Sequence, residues 1–282
     1  MSDLIAYVVT GLGIGAGYAL VGSGLVAIYR VTGVVNFAQG AFAVVAAMLT
    51  STLLSAGLPH VLAESAAVLV AAGAGVLVGL IATGEPGAAL IITLGVGVFA
   101  YAVEIVVWGD QPRSFAGLPG VLTVGDARIQ AHYLLILAVT VPVFVAMGAF
   151  FGRTDLGKAL TACASNRYAA RVVGIDVRRM GLLAFALGGA LGGLAGVLTT
   201  PIQQVTFDSD VTLIVNGFAA AILGGLTRPG VALAGGLLLG VAQTLIAGFG
   251  GGAYQLEVAL LLMLTVMVVQ ATRAGALAGV AR

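Results

Sequence analysis

Apolar runs of about twenty residues recur from one end of this chain to the other, and they restrict it to folding in a membrane. A helix rises about 1.5 Å per residue, so such a run crosses the roughly 30 Å hydrocarbon core of a bilayer. Only 8% of the 282 residues are charged, whereas a soluble domain carries about a quarter charged residues. The runs do not alternate in polarity at every second residue, as the strands of a membrane barrel do. The sequence therefore predicts an all-α polytopic membrane protein.

Short polar or Gly/Pro-containing connections divide the chain into nine apolar segments. The segments cover residues 4–28, 34–54, 61–81, 88–107, 132–151, 180–198, 211–226, 231–249 and 254–269. Segment 211–226 is shorter than a usual span and holds Asn216 and Gly217, so we interpret it as a crossing helix, a re-entrant segment or an unwound one. We expect eight or nine crossings in a single transmembrane domain that comprises residues 1–282.

Half of the twelve basic residues lie in one polar segment, residues 152–179. They are Arg153, Lys158, Arg167, Arg171, Arg178 and Arg179. Basic residues near the ends of spans stay in the cytosol, so this segment is predicted to be cytosolic. Alternation of the spans then places the C-terminus in the cytosol. The same alternation places the N-terminus and the loops at 55–60, 108–131, 199–210 and 250–253 outside.

Small residues form a stripe in the apolar segment 180–198. Gly188, Gly192 and Gly196 are four residues apart and share one face of a helix. Glycine lets two helices approach closely in a membrane. The stripe predicts close packing, either inside this chain or at a seam to a second membrane subunit.

Amide side chains interrupt two of the apolar segments. Asn36 and Gln39 are predicted to share a helical face in segment 34–54, and Asn216 lies in segment 211–226. A buried amide must find a hydrogen-bond partner or line a wet cavity. Two interpretations stay open, a polar lining of a substrate pathway at a broken helix and hydrogen bonds between helices. The first interpretation gives six candidate pathway residues, Asn36, Phe37, Gln39, Gly40, Asn216 and Gly217.

The sequence contains no constellation typical of catalysis or of a bound cofactor. His60 and His132 have no cysteine or carboxylate at metal-ligand spacing. No GxxxxGK[ST] loop occurs, so this chain is not expected to bind ATP by that route. Glu104 is the nearest candidate for a buried relay, but it lies close to the end of its segment. We therefore expect neither an enzyme nor a nucleic-acid-binding protein.

The polar segment 152–179 contains the spacing AAxxxG, formed by Ala169, Ala170 and Gly174. This spacing predicts a short helix with a small-residue surface that a glycine terminates, able to fit a cleft on another protein. It resembles the EAA loop of ABC importer permeases, with Tyr168 where that motif commonly has Glu. The resemblance implies a coupling role for Asn166, Arg167, Tyr168, Ala169, Ala170, Arg171 and Gly174.

Further blocks in the same order along the chain strengthen this resemblance. Residues 17–40, 157–175, 185–198 and 220–236 are similar to the branched-chain amino acid permease family of bacterial ABC transporters. The chain departs from that family at Gln39 and Ala41, where His and Glu are common. These departures concern the segment that we interpret as part of the pathway, so the cargo stays open.

The resemblance implies the fold of an ABC importer permease in the bacterial plasma membrane, surrounded by lipid. It implies four partners: a second homologous permease, two cytosolic ATPase subunits and an external substrate-binding protein. ATP and Mg²⁺ are expected on the ATPases, with no cofactor on this chain. The expected function is inward transport of branched-chain amino acids. The alternatives are a permease of the same architecture for urea, short amides or a sugar, and an ion-coupled secondary transporter.

Overall fold

A computed structural model of the chain describes residues 2–82, 86–124, 127–226 and 229–250, together with residues 257, 260–266 and 268. Within the first four ranges the structure is helical apart from one β-hairpin and the connections. The helices are α1 (Ser2–Thr32), α2 (Gln39–Ser55), α3 (His60–Ala82), α4 (Pro86–Trp108), α5 (Ala131–Arg153), α6 (Asp155–Ser165), α7 (Arg167–Val172), α8 (Val177–Thr199), α9 (Ser209–Leu223) and α10 (Ala232–Gly250). The hairpin pairs β1 (Val121–Val124) with β2 (Ala127–Gln130) in antiparallel register.

The prediction of a polytopic helical membrane protein is confirmed. Six of the described helices are long and apolar enough to span a bilayer, namely α1, α3, α4, α5, α8 and the helix that begins with the turn before α10. Helices α2 and α9 are equally apolar but have only 17 and 15 residues. The last predicted segment, 254–269, lies mostly outside the described residues, so the predicted count of eight or nine crossings stays approximate.

Two connections that were predicted to lie on the same side of the membrane, 108–131 and 199–210, meet at one end of the bundle. The indole of Trp108, at the end of α4, donates a hydrogen bond of 2.8 Å to Thr52 Oγ1 near the end of α2. The backbone groups of Arg113 and Val205 bond to each other at 2.9 Å in both directions. The ring of His132 accepts from the backbone N–H of Leu118 and its other nitrogen lies 2.9 Å from the carbonyl of Leu198. These bonds join loops 108–131 and 199–210 to the ends of α2, α5 and α8.

Helix α8 lies at the centre of the bundle, and α4 and α5 lie at its surface. Phe185 of α8 is completely buried among residues of α1, α2 and α3. By contrast, Val98, Phe99 and Val106 of α4 are exposed by 69 to 85%. Apolar side chains at that level of exposure face lipid or another apolar subunit in a membrane protein.

The structure corrects four expectations about the secondary structure. Helix α1 continues to Thr32 and ends at Gly33, whose φ of +67° is a left-handed conformation that glycine adopts without strain. Helix α2 starts only at Gln39, so Asn36 precedes that helix and the prediction of a shared helical face is wrong. Helix α9 is continuous from Ser209 to Leu223, so it is not unwound at Asn216. The loop predicted at 108–131 also contains the β1–β2 hairpin.

Candidate functional site

The glycine stripe of α8 brings this helix into backbone contact with α2. Gly192 lies against Gln39 and Phe42, and a methyl group on Gly196 would collide with the carbonyl of Ala43. The same face at Gly188 meets the side chain of Ile28 from α1. All three predicted packing glycines therefore lie against helices of this chain. Their lack of side chains is what allows α2 to reach the centre of the bundle.

The first amide cluster lies where the connection after α1 enters α2. Gln39 is fully buried and its Nε2 donates 2.7 Å to the carbonyl of Gly188. Asn36, also fully buried, donates 3.2 Å to Gln39 Oε1 and accepts from the backbone N–H of Ala38. Thr93 of α4 adds a hydrogen bond from its hydroxyl to Val35 and accepts one from Phe37 N–H. These bonds hold the non-helical segment 33–38 in place inside the bundle.

The second amide cluster lies between α9 and α10. Gln243 donates 2.7 Å from Nε2 to Asn216 Oδ1, and Asn216 donates 2.8 Å to the carbonyl of Thr212. Both amides are nearly fully buried. Gly217 lies against Val21 of α1, so α9 also approaches α1 closely at this level.

The six candidate pathway residues thus fall into two separate groups. Asn36, Phe37, Gln39 and Gly40 lie at the start of α2, and Asn216 and Gly217 lie in the middle of α9. The groups meet through the rings of Phe37 and Phe218, whose centroids are 5.6 Å apart. Gly40 also lies against the backbone of Asp210 in the first turn of α9. The buried amides are hydrogen-bonded to groups of this chain. This agrees with the second interpretation given above, in which the amides form structural hydrogen bonds.

A polar pocket, here called the Gln203 pocket, opens beside the second amide cluster. It has a volume of about 190 Å³ and lies between α1, the end of α8 and the start of α9. Its polar lining consists of Tyr18, Thr199, Thr200, Gln203, Gln204, Ser209 and Thr212. Thr212 is the residue whose carbonyl accepts from Asn216, so the pocket wall and the second amide cluster are directly joined. No charged side chain is found among the described residues that line it.

Sequence reasoning did not select this pocket as a site. Its lining comes from three places that are far apart in the chain, at Tyr18, at 196–205 and at 209–213. The available signal was the run Thr199-Thr200 followed by Gln203-Gln204, four polar uncharged residues directly after an apolar helix. Such a run at a helix end is also typical of an ordinary loop, so it did not single out a site.

At the opposite end of the bundle, the polar segment 152–179 folds into two short helices and the first turn of α8. Each of the three helices starts at a side chain that accepts hydrogen bonds from its first turn. Thr154 accepts from Gly157 N–H, Asn166 from Ala169 N–H, and Asp176 from Arg178 N–H and Arg179 N–H. Capping by local side chains explains why this polar stretch is helical although little of it is buried.

Helix α7 ends as the AAxxxG spacing predicts. Gly174 has a φ of +87° and its N–H bonds to the carbonyl of Arg171 at 3.0 Å, while Ile175 N–H reaches back to Ala170. This pattern is the glycine-terminated helix end found in many proteins. Ala170 is buried against Leu160 and Met180, so the small residue in the middle of α7 anchors it to α6 and α8.

The two long faces of α7 differ in their contacts. Arg167 points toward the bundle, and its Nε donates 2.8 Å to the carbonyl of Val31 at the end of α1. Burial and the neighbouring Arg171 lower the pKa of Arg167, although an arginine stays charged at neutral pH. Tyr168, Val172 and Val173 are exposed by 80, 71 and 73%. Helix α7 therefore presents an apolar surface, here called the Tyr168 patch, away from the bundle.

A multi-helical membrane bundle that carries a buried polar pocket at one end and a short exposed helix at the other has the architecture of a membrane transport subunit. The chain belongs to the family described as branched-chain amino acid transport system / permease component, which it matches over residues 7–270. It is therefore a transmembrane permease subunit of the ABC type.

Two relatives match about nine tenths of the chain or more, and a third matches a shorter part. It is 28% identical to the high-affinity branched-chain amino acid transport system permease protein BraD of Pseudomonas aeruginosa, over 94% of this chain and 93% of that protein. It is 29% identical to the probable branched-chain amino acid transport permease protein LivH of Methanocaldococcus jannaschii, over 89% of this chain and 85% of that protein. The autoinducer 2 import system permease protein LsrC of Yersinia enterocolitica is 27% identical over 70% of this chain and 54% of its own length.

A solved structure shares the fold. PsaBC from Streptococcus pneumoniae, determined in complex with Fab, superposes with a TM-score of 0.54 over 94% of this chain and 91% of that chain. The sequences are only 14% identical, so this likeness concerns the fold alone.

Proposed function

We propose that this chain is one permease subunit of a bacterial importer that moves branched-chain amino acids into the cell and takes its energy from ATPase subunits. The observation that carries the proposal is the Tyr168 patch, an apolar surface on a short helix in the most basic segment of the chain. Exposed apolar side chains in a water-facing loop mark a protein contact. The relatives named as branched-chain amino acid permeases support the cargo.

The coupling role is assigned to the region Asn166–Gly174, with the work divided among its residues. Asn166 and Gly174 define the two ends of the helix, and Ala170 anchors it. Tyr168 contacts the ATPase, while Arg167 transmits its movement to α1 through the bond to Val31. Ala169 and Arg171 complete the exposed surface. ATP and Mg²⁺ are bound and used on the ATPases, and this chain contributes positioning without chemistry.

Association with the ATPase tests the docking surface. In the double variant Tyr168→Ser/Val172→Ser, we expect the affinity for the cognate ATPase to fall by about tenfold or more, since truncating a central interface residue commonly costs over about 1 kcal/mol. The matched control is Leu122→Ser, which replaces a 46% exposed apolar residue in the hairpin at the opposite end. Co-purification and ligand-dependent ATP turnover give the readout. Undiminished association of the double variant would refute the docking assignment.

The substrate pathway is assigned to the Gln203 pocket, to the amide-bearing segment of α9 that lines it, and to the amide-bearing segment at the start of α2. Asn36, Phe37, Gln39 and Gly40 form one wall segment, and Asn216 and Gly217 form the other. The amides fix the walls, and the pocket supplies the uncharged polar groups that a zwitterion or a neutral polar molecule can bond. We expect Gln203→Leu to raise the KM for uptake while ATPase association is unchanged, with Gln111→Leu in loop 108–131 as the control.

The assembly is proposed to contain a second homologous permease, two ATPases in the cytosol and an external substrate-binding protein. The cytosolic side is proposed to be the end that carries α6 and α7, in the bacterial inner membrane, and the prediction for the C-terminus is the same side. Labelling tests this orientation in a Cys163→Ala background, because Cys163 is the only cysteine. An impermeant maleimide added outside cells should modify Gln111→Cys and leave Tyr168→Cys unmodified. Modification of Tyr168→Cys without modification of Gln111→Cys would show that the orientation is the opposite of the one proposed.

A permease of the same architecture for another small polar cargo is the second candidate. The similarity to a protein named as an autoinducer 2 import permease and the uncharged lining of the Gln203 pocket favour it. Reconstitution with the cognate ATPase and binding protein separates the candidates. Uptake of labelled leucine, isoleucine or valine in preference to urea, acetamide or ribose supports the first. Uptake by this chain alone, driven by an ion gradient, would overturn both in favour of a secondary transporter.

A further inference from the structure

Three arginines of the basic segment converge on one cavity, here called the arginine pocket. Arg167 and Arg171 lie four residues apart on α7, and Arg178 lies in the first turn of α8. The cavity has a volume of about 420 Å³ and its remaining walls are the last turns of α1 and α3. It therefore lies where the membrane-spanning helices α1, α3 and α8 reach one face of the bundle.

The charges in the arginine pocket are not neutralised by the part of the chain that the structure describes. The ion pairs of the basic segment are Lys158–Asp155 at 3.9 Å and Arg179–Asp176 at 3.0 Å, and neither involves the three pocket arginines. Arg167 donates a hydrogen bond from Nε to the carbonyl of Val31. Its Nη2 is buried without a hydrogen-bond partner among the described residues. A buried charged donor without a partner is costly, so the site favours an anionic oxygen in the cavity.

The wall formed by α3 indicates where that anion comes from. Leu80 lines the cavity and is 45% exposed, and Leu77 and Ile81 beside it are exposed by 66 and 58%. The charged cavity is thus continuous with an exposed apolar surface on a helix that is long enough to span the membrane. Guanidinium groups match the geometry of phosphate oxygens, and basic pockets between spanning helices are suited to lipid head groups.

We infer that the arginine pocket binds the phosphate head group of an anionic membrane lipid, with the acyl chains along α3. The occupied site ties α7 to α1, α3 and α8, the helices that meet in this pocket. This inference goes beyond the proposed transport function and does not depend on the cargo. The shared ligand chemistry is a phosphate oxygen, which free phosphate also offers, so the test must separate the two sources.

The test is the binding of phosphatidylglycerol to the purified full-length chain in neutral detergent, measured by lipid retention in native mass spectrometry and by the lipid-dependent rise of the thermal midpoint. Arg171→Gln/Arg178→Gln removes two pocket charges. Arg153→Gln/Arg179→Gln removes two charges from the same segment outside the pocket. We expect the first variant to bind phosphatidylglycerol about thirtyfold more weakly, at the strength typical of two basic residues near anionic lipid, and the second to bind like the unmodified chain. Thermal midpoints measured without lipid are the control for folding, and we expect both variants to unfold cooperatively.

Each alternative gives a distinct result. If both double variants lost phosphatidylglycerol binding equally, the binding would reflect general electrostatic attraction between the basic segment and anionic lipid. That result would refute a specific site in the arginine pocket. Equal stabilisation by inorganic phosphate, with no preference for phosphatidylglycerol over phosphatidylcholine, would assign the pocket to free phosphate. Loss of ATPase association with unchanged lipid binding would make it a protein contact. The last alternative is that a carboxylate of this chain occupies the pocket. Glu85, which follows Ala82 by three positions and lies outside the described residues, is the candidate, and the variant Glu85→Gln tests it. A several-fold gain in lipid binding in that variant would identify Glu85 as the internal occupant and refute the inference.

Discussion

Arg167 in helix α7 donates a 2.8 Å hydrogen bond from Nε to the backbone carbonyl of Val31, in the last turn of α1. The two residues are 136 positions apart, and the bond joins a short helix at the surface to a membrane-spanning helix. Val31, Ala170 and Met180 belong to the same buried apolar cluster, so the contact is reinforced by packing. We therefore expect a displacement of α7 to act directly on the end of α1.

Removing this bond should weaken coupling while leaving the subunits associated. In Arg167→Ala we expect ATP hydrolysis to respond less to the binding protein, because the charged hydrogen bond to Val31, worth about 1.5–3 kcal/mol, is absent. Arg178→Ala is the matched control, since Arg178 lines the arginine pocket with Arg167 but lies outside the region Asn166–Gly174 and does not make the bond to Val31. Equal responses of the two variants in proteoliposomes would show that the Val31 bond does not transmit the movement.

Replacing Gln39 should mainly affect stability. In Gln39→Leu, the carbonyl of Gly188 and the Nδ2 of Asn36 both lose their partner inside the bundle. Buried groups left unsatisfied cost about 1–3 kcal/mol each, so we expect a lower thermal midpoint in detergent. Uptake per folded molecule should stay within about twofold if the amide acts only as a structural bond, an estimate from the additivity of independent sites. A selective loss of uptake at an unchanged midpoint would instead place Gln39 in contact with the cargo.

The glycine contact between α8 and α2 predicts a strong dependence on position. Gly196→Ala should destabilise the protein by about 1–3 kcal/mol, because the new methyl group meets the backbone carbonyl of Ala43 and the helices must separate. Gly73→Ala in α3 is the control, since nothing lies within 4 Å of the added methyl group. Its effect should be neutral or slightly stabilising, as expected for alanine in a helix. Unfolding in denaturing detergent compares the two, and equal midpoints would refute the close contact.

Cys163 should react slowly with thiol reagents in the folded protein. Its side chain is 1% exposed in α6, and burial raises the pKa of the thiol although the nearby Arg167 opposes part of this shift. A raised pKa leaves less reactive thiolate at neutral pH, and the rate should climb as the pH rises toward that pKa. Mass spectrometry after maleimide treatment at pH 7 and pH 8.5 measures this. The control is Tyr168→Cys in a Cys163→Ala background, at a position that is 80% exposed, which should be modified much faster.

The sequence allowed much of the fold to be predicted because apolar length is a strong signal in membranes. The short helix α7 was also predictable, since Ala169, Ala170 and Gly174 carry a local pattern that the structure reproduces with Gly174 in a left-handed conformation. The start of α2 could not be predicted, because Val34 and Val35, which precede the helix, are as apolar as residues inside a helix. What keeps them out of the helix is the set of bonds from Thr93 and Asn36, and Thr93 lies more than fifty positions away.

The candidate site was harder to predict for the same reason. Asn36 and Asn216 stand out in apolar sequence, but only the structure shows that their partners are Gln39 and Gln243. The Gln203 pocket combines Tyr18 with residues near position 200, and no local pattern joins them. Loop 108–131 was predicted without its hairpin, although Val121–Val124 has the composition of a strand and Gly125-Asp126 that of a turn.

The contact of Gly196 with Ala43 has a mechanical consequence. At Gly196 the backbones of α8 and α2 meet directly, so no side chain separates the two helices at that point and could adjust if they slid past each other. We therefore expect α8 and α2 to move together at this level, so that a cycle that exposes the two sides of the membrane in turn has its moving boundary at another seam.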